Sequence, residues 1–268
     1  MRVAAFLAIA VAFLTLSAQG QVSTPIGAVP FTIKKPGNYV LKKNLRLTKT
    51  ATAAINIASD DVVLDLGGRV LSSGLPTGTS VVGIQDAGGY GNIVVKNGTV
   101  RGFEQGVRLN SYQANVTGVT VEDIKVDRSS GAGISVLGEQ MIVRRCTVTN
   151  TGGSPGGTFG IYVDGGTAIV KDNEVLNTVG PEGVAADGIK VGCQSAVIEG
   201  NRVLNPPGTL GSRGISLGLA TYYLAENNRI TGFTTGIYFT NAVGEYRNNF
   251  TVGCTTPYSG GVDSGNNK

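Results

Sequence analysis

A four-residue signature, Gly-Ile-any-Val, recurs along this chain of 268 residues. With small variations it is found as AINI from Ala54, GIQD from Gly83, GVRL from Gly106, GISV from Gly133, GIYV from Gly160, GIKV from Gly188, GISL from Gly214 and GIYF from Gly236. Successive copies begin 22 to 29 residues apart, and a second short segment of alternating apolar residues follows each copy. Because helical periodicity is missing and β-branched residues alternate with polar ones, this period predicts an all-β fold, a β-solenoid of stacked coils.

Eight copies predict about eight coils, which at ~4.8 Å per coil give a rod of roughly 38 Å. Other repetitive folds do not fit. The LxxLxL pattern of leucine-rich repeats and the heptads of coiled coils are absent. Glycine is abundant, with 41 residues, but it does not occupy every third position and proline numbers only nine, so a collagen-like fold is excluded.

One column of the repeat is predicted to face the interior at the corner after the second segment. Its members are Gly68, Gly98, Ile124, Cys146, Asn173, Asn201 and Asn228, and none of them is charged. The three asparagines fall in successive coils, where stacked amides can hydrogen-bond one another along the rod. We therefore expect these asparagines to have a structural role and not to bind a ligand.

These tandem units resemble the right-handed parallel β-helix of pectate lyases, polygalacturonases and many secreted bacterial proteins. The opening segment PGNYVLKKNLRL…AINIASDDVVLDLGGRVLSS and the closing segment TTPYSGGVDSGNN carry the resemblance, which covers about residues 30 to 268. It implies the fold, with a single right-handed parallel β-helix domain over residues 21–268. It also implies that the first strands of the coils form a sheet that binds sugar polymers.

The first 20 residues are predicted to be a cleaved signal peptide. Arg2 precedes an apolar run from Val3 to Leu16, and Ala18-Gln19-Gly20 has small residues where a signal peptidase cleaves. The apolar run has 14 residues, fewer than the ~20 needed to span a bilayer. We therefore expect a secreted or periplasmic protein without a membrane span, acting as a monomer and not binding nucleic acid.

If Ile and Val of the signature point inward, the residue between them points outward. That outward column reads Asn56, Gln85, Arg108, Ser135, Tyr162, Lys190, Ser216 and Tyr238. Asp164 falls two residues beyond Tyr162, while Asp187 and Arg213 each precede a signature glycine. The pattern therefore gathers charged and aromatic side chains on one predicted face.

This face is the predicted site for an acidic, uronate-containing polysaccharide. Arg108, Tyr162 and Tyr238 are the expected substrate-binding residues, since arginine pairs with carboxylates and tyrosine stacks on sugar rings. Lys190, Arg213, Asp164 and Asp187 are the candidate catalytic residues of a lyase-like reaction with Lys190 as base. Asp164 and Asp187 are also the candidate ligands of a calcium ion.

Alternatives to a lyase follow from the same residues. Glycoside hydrolysis needs two carboxyl groups at a defined separation, which neighbouring coils could provide. The chain has no histidine, so the Gly-His-Gly of polygalacturonase-type hydrolases and every imidazole mechanism are excluded. A non-catalytic rod for surface display or adhesion is the rival from another class, because any exposed sheet needs polar residues.

Cys146, Cys193 and Cys254 are predicted to be buried thiols, with one disulfide and a free thiol as the alternative.

Overall fold

The computed structural model describes residues 22–76, 78–86, 88–110, 117–154, 156–181, 184–218, 222–240 and 243–268, without the side chains of residues 110 and 207–210. Within these ranges the chain is a right-handed parallel β-helix of strands and turns. None of the described residues belongs to a helix that could cross a membrane. The predicted signal peptide lies outside the described residues.

The strands are β1 Ser23–Ile26, β2 Phe31–Ile33, β3 Gly37–Leu41, β4 Leu45–Leu47, β5 Ala53–Ile57, β6 Val62–Asp65, β7 Val70–Ser73, β8 Val82–Asp86, β9 Ile93–Arg101, β10 Gln105–Asn110, β11 Val119–Asp127, β12 Ala132–Arg144, β13 Thr147–Gly152, β14 Thr158–Lys171, β15 Glu174–Val179, β16 Ala186–Glu199, β17 Arg202–Gly218, β18 Tyr222–Glu226, β19 Arg229–Thr240, β20 Gly244–Arg247, β21 Phe250–Val252, β22 Thr256–Ser259 and β23 Val262–Asp263. Long strands such as β12, β14 and β16 bend at a corner and belong to two faces of the rod.

Parallel pairing between coils builds three faces. Sheet 1 follows β2, β5, β8, β10, the first halves of β12, β14 and β16, the second halves of β17 and β19, and β22. Sheet 2 includes β6, the first halves of β9 and β11, and the second halves of β12, β14 and β16. Sheet 3 has nine strands in the described ranges, namely β4, β7, the second halves of β9 and β11, β13, β15, the first halves of β17 and β19, and β21. The predicted number of about eight coils is right to within one coil, and seven coils carry the glycine-headed signature.

The Ile or Val that follows the first residue of the signature points into the rod in every copy. The residues Ile55, Ile84, Val107, Ile134, Ile161, Ile189, Ile215 and Ile237 are all 0% exposed. Each stacks on its equivalent in the next coil, because the parallel register aligns them. The predicted inward column is therefore confirmed, and apolar stacking along the axis forms the core.

The signature glycine is required by close packing at the corner between sheets 3 and 1. A Cβ added to Gly188 would lie 2.3 Å from Cγ1 of Val203 and 2.7 Å from the carbonyl oxygen of Gly214. The equivalent Cβ at Gly133 would lie 2.3 Å from Cγ1 of Val148. These distances are well below van der Waals contact, so only glycine fits at this point of the repeat.

The predicted asparagine ladder is confirmed and is longer than predicted. Nδ2 of Asn173 donates to Oδ1 of Asn201, and Nδ2 of Asn201 donates to Oδ1 of Asn228, both at 3.0 Å. The ladder then continues to Asn249 at 3.0 Å and to Asn267 at 3.2 Å. Each Oδ1 also accepts the backbone N–H of the previous ladder residue, so the amides join successive coils.

Left-handed backbone at the preceding residue turns these asparagines inward. Asp172 has φ 55°, Asn227 has φ 58° and Asn248 has φ 55°. Short polar side chains tolerate this conformation better than other non-glycine residues. The corner sequence therefore places one residue in the turn and the next inside the rod.

The three cysteines are free thiols, as predicted, and Cys146 and Cys193 are buried while Cys254 is half-buried. Burial raises the pKa of the Cys146 and Cys193 thiols to about 12. Both thiols are therefore un-ionised at neutral pH and act as small apolar core residues.

Candidate functional site

The residues of the predicted outward column follow one another in the register of sheet 1, although Gln85, Ser135 and Ser216 are buried. Arg108 pairs with Ser135, Ser135 with Tyr162, Tyr162 with Lys190, Lys190 with Ser216, and Ser216 with Tyr238. At the N-terminal end, Arg108 donates to Oε1 of Gln85 at 2.7 Å, and Gln85 donates to Oδ1 of Asn56 at 3.1 Å. Hydrogen bonds between coils therefore hold Arg108 in place at one end of this column.

An aromatic pair at the middle of sheet 1 carries the Lys190 ammonium group. The rings of Phe159 and Tyr162 are stacked, with centroids 5.2 Å apart and planes inclined by 30°. Nζ of Lys190 lies 5.0 Å from the Phe159 centroid and 5.5 Å from the Tyr162 centroid. The Tyr162 hydroxyl donates to Oδ2 of Asp164 at 2.7 Å, which fixes the ring. A cation, two rings and a carboxylate thus form one cluster.

A second cation, Arg213, lies on the coil after Lys190 and contacts a ring of the following coil. The guanidinium carbon of Arg213 is 4.4 Å from the centroid of Tyr238. Nη1 of Arg213 lies 3.9 Å from Oδ1 of Asp187, and the Arg213 side chain keeps 36% of its surface exposed. The guanidinium group is therefore positioned by a ring and a carboxylate while remaining accessible from solvent.

The sequence analysis placed Asp187 on the exposed face of the sheet, but the structure buries it. It is only 4% exposed, and its Oδ1 has no hydrogen-bond partner. In β16 it pairs with Phe159 of the previous coil and with Arg213 of the next, so larger side chains flank it on both sides. Burial raises the pKa of this carboxyl above its ordinary value of 3.8, although the charges of Arg213 and Lys190 act in the opposite direction.

Asp187→Asn is expected to raise the melting temperature at neutral pH and to have less effect in acid. A carboxyl whose pKa is raised by folding holds its proton more tightly in the folded state. The wild type therefore loses stability as the pH rises from 3.8 through the raised folded pKa. Asparagine does not titrate, so the variant escapes that loss. Melting curves across this pH range test the prediction, with Asp172→Asn at an exposed corner as the control. Parallel pH profiles for wild type and Asp187→Asn would contradict it.

The register does not bring Asp164 and Asp187 together. Asp164 pairs with Gly192, whereas Asp187 pairs with Phe159, so the two carboxylates lie at opposite ends of the part of β14 and β16 that belongs to sheet 1. Asp187 and Gly192 are five residue steps apart along the extended strand, about 16 Å at 3.3 Å per residue. Among the described residues there is no group of three or more Asp, Glu, Cys or His side chains that could hold a metal ion.

Phe159 contacts Lys190 and Tyr162 in the candidate site, and the sequence analysis did not predict it. It precedes the glycine of the GIYV copy, in the same register row as Asp187 and Arg213. Its apolar side chain gives no charge pattern by which a polysaccharide site is predicted. Its position in the same row as Asp187 and Arg213 could have predicted that it lies beside them on this face.

No protein-family model and no curated protein sequence matches this chain. The resemblance to the pectate-lyase-like superfamily therefore has no family match behind it. Among solved structures, the enzymatically active domain of bacteriophage CBA120 tailspike protein 2 is similar, with a TM-score of 0.40 and 12% sequence identity. The similarity covers 90% of this chain and 38% of that chain, so this chain spans less than half of the tailspike domain's length. Similarity at this level does not identify a function.

Proposed function

We propose that the outer face of sheet 1 binds an acidic, uronate-containing polysaccharide outside the cell. The observation that carries the proposal is the presence of two cations, Lys190 and Arg213, each in contact with aromatic rings on neighbouring coils. Secretion through the predicted signal peptide would bring this face into contact with extracellular polymers.

The chemistry of the two clusters fits such a polymer. Guanidinium and ammonium groups pair with the carboxylates of uronates, and tyrosine or phenylalanine rings pack against the apolar faces of sugar rings. Tyr162 and Tyr238 are three coil steps apart, about 14 Å along the rod at ~4.8 Å per step. A surface of this length suits an oligosaccharide segment better than a single sugar.

Cleavage by β-elimination is the finer proposal for the same face. Arg213 would neutralise the uronate carboxylate, and a base would remove the proton from the adjacent carbon while the glycosidic oxygen leaves. Lys190 is the candidate base. Its two ring contacts attract the ammonium cation, however, which favours binding over proton removal. Hydrolysis by Asp164 and Asp187 is not proposed, because a carboxyl pair needs a separation below about 10 Å.

Binding is expected to fall at least about tenfold in both Lys190→Ala and Arg213→Ala, since each removes a charged partner of the polymer. Lys125→Ala is the matched control, because Lys125 is an exposed cation on sheet 3. Affinity electrophoresis or calorimetry with polygalacturonate, and with a neutral glucan, measures the effect. The same samples are followed for ultraviolet absorbance of unsaturated sugars, with calcium and with a chelator.

The outcomes separate the proposals. If Lys125→Ala weakens polygalacturonate binding as much as the sheet 1 variants do, binding is due to general charge attraction and not to this face. Turnover that survives Lys190→Ala would remove the lyase assignment of that residue. A wild type that binds no acidic polymer would favour the non-catalytic display rod.

A further inference from the structure

A cleft of about 300 Å³ opens in sheet 1 beside the Phe159–Tyr162 pair. Its walls and floor come from three consecutive coils, with Glu104 and Gln105 on the first, Gly131, Ala132 and Ser135 on the second, and Phe159 and Tyr162 on the third. Ser154, Gly156 and Gly157, from the segment that leads into the third strand, complete the lining. Lys190 belongs to the next coil, beyond the aromatic pair. The cleft is therefore separate from the two cation clusters, although it shares the aromatic pair with one of them.

The register creates this cleft by placing small residues between long ones. Ala132 lies between Gln105 and Phe159 in one row, and Ser135 lies between Arg108 and Tyr162 in the other. Since the side chains of Ala132 and Ser135 are short, the face of sheet 1 has a depression that is one coil wide at this point. The gap is a slot that runs across the rod.

The width of the slot suits one sugar ring. The two walls stand two coil steps apart, about 10 Å between backbones at ~4.8 Å per step. A ring in van der Waals contact with both walls needs about 7–8 Å between the wall atoms, twice the usual carbon–carbon contact distance. A flat polymer surface would not fill this slot, whereas a single ring entering it edge-on would.

The two walls differ in chemistry. Phe159 and Tyr162 offer ring surface on one side, whereas Glu104 and Gln105 offer a carboxylate and an amide on the other. Hydroxyl groups of a sugar can donate to the Glu104 carboxylate and exchange hydrogen bonds with the Gln105 amide. Arg108, which pairs with Ser135, donates to Gln85 of the coil before and does not line the cleft, so a sugar carboxylate there would meet the Glu104 charge and be repelled. The slot thus selects against the charge that Lys190 and Arg213 attract.

We infer that the slot binds an uncharged pyranose ring, adjacent along the polymer to the uronate held by Lys190 and Arg213. The ligand class is then an acidic heteropolysaccharide whose repeat joins an uncharged sugar to a uronate, and not a homopolymer of uronate. This inference rests on the proposed function of sheet 1. It adds to that function the kind of sugar repeat that the site prefers.

The test compares two probes of opposite composition. Hyaluronan alternates a uronate with an uncharged N-acetylhexosamine, whereas polygalacturonate contains uronate only. The wild type is expected to bind hyaluronan oligosaccharides at least about tenfold more tightly than polygalacturonate oligosaccharides of equal length. Ser135→Phe, which fills the slot, is expected to abolish this preference and leave polygalacturonate binding within about twofold. Ser195→Phe makes the same change on sheet 2, in the row where Tyr222 already stands, and serves as control.

A second variant keeps the test independent of folding defects in Ser135→Phe. Glu104→Gln removes the repelling charge without changing the shape of the slot. It is expected to strengthen polygalacturonate binding and so to narrow the preference by about threefold or more. Equal wild-type affinity for both probes, or a preference that survives Ser135→Phe in a folded protein, would overturn the slot assignment alone. Absence of binding to either probe would overturn the proposed function itself.

Discussion

Asn201→Leu is expected to lower the free energy of unfolding by about 3–5 kcal/mol, a large share of the stability of a domain. Asn201 is 1% exposed and joins three coils. Its Oδ1 accepts the backbone N–H and Nδ2 of Asn173, and its Nδ2 donates to the Val170 carbonyl and to Oδ1 of Asn228. Leucine fills the space but leaves these buried groups without partners, and each orphaned group costs about 1–3 kcal/mol.

Asn201→Asp is expected to be more damaging still at neutral pH, because it places a buried charge beside the Asn228 carbonyl oxygen and loses the Nδ2 donor. Asn177→Asp is the matched control. Asn177 is exposed and has φ 58°, a conformation that Asp172 also adopts at another corner. Urea unfolding of the three variants measures the differences. If Asn201→Leu unfolds at the wild-type midpoint, the ladder contributes nothing to stability.

Gly188→Ala is the second large effect, with an expected loss of about 3 kcal/mol. The added methyl group would stand 2.3 Å from Val203 and 2.7 Å from the Gly214 carbonyl oxygen, so two coils must move apart to admit it. Backbone conformation is not the cause, because Gly188 does not have a positive φ.

Gly218→Ala provides the control for this steric argument. A Cβ at Gly218 would find its nearest neighbour, Cβ of Thr240, at an ordinary contact distance of 3.7 Å. That variant is expected to unfold at or slightly above the wild-type midpoint, because alanine restricts the unfolded chain. Equal losses in the two variants would mean that flexibility, and not packing, decides the choice of glycine.

The sequence predicted the register of the rod well, for a physical reason. Parallel coils repeat one conformation, so inward Ile189 and outward Lys190 in one coil fix their equivalents in the others. The ladder was predicted from Asn173, Asn201 and Asn228, and the pairs Asn248–Asn249 and Asn266–Asn267 repeat the same corner. They escaped notice because the surrounding coils no longer carry the signature.

Contacts across the face were less predictable than the register. The repeat pattern shows which side chains lie on the same face, but it does not show toward which neighbouring coil each side chain points. Thus Lys190 turns toward Phe159 of the previous coil, and Asp187 is buried between Phe159 and Arg213 of the neighbouring coils. The distance between Asp164 and Asp187 depends on their positions along the strand, which adjacency of coils alone does not reveal.

The ladder of amides also gives the rod an electrical polarity. From Asn173 to Asn249, each Nδ2 donates one hydrogen bond to the next asparagine toward the C-terminal end and one to a carbonyl of the coil before. Because every amide has this same orientation, the amide dipoles point the same way and polarise one another. The positive end of this row lies at Asn267, whose Nδ2 donates to the Asp263 carboxylate at 2.6 Å. A negative charge thus closes the row at the end where alignment of the dipoles favours it. In this respect the row resembles a helix macrodipole built from side chains alone.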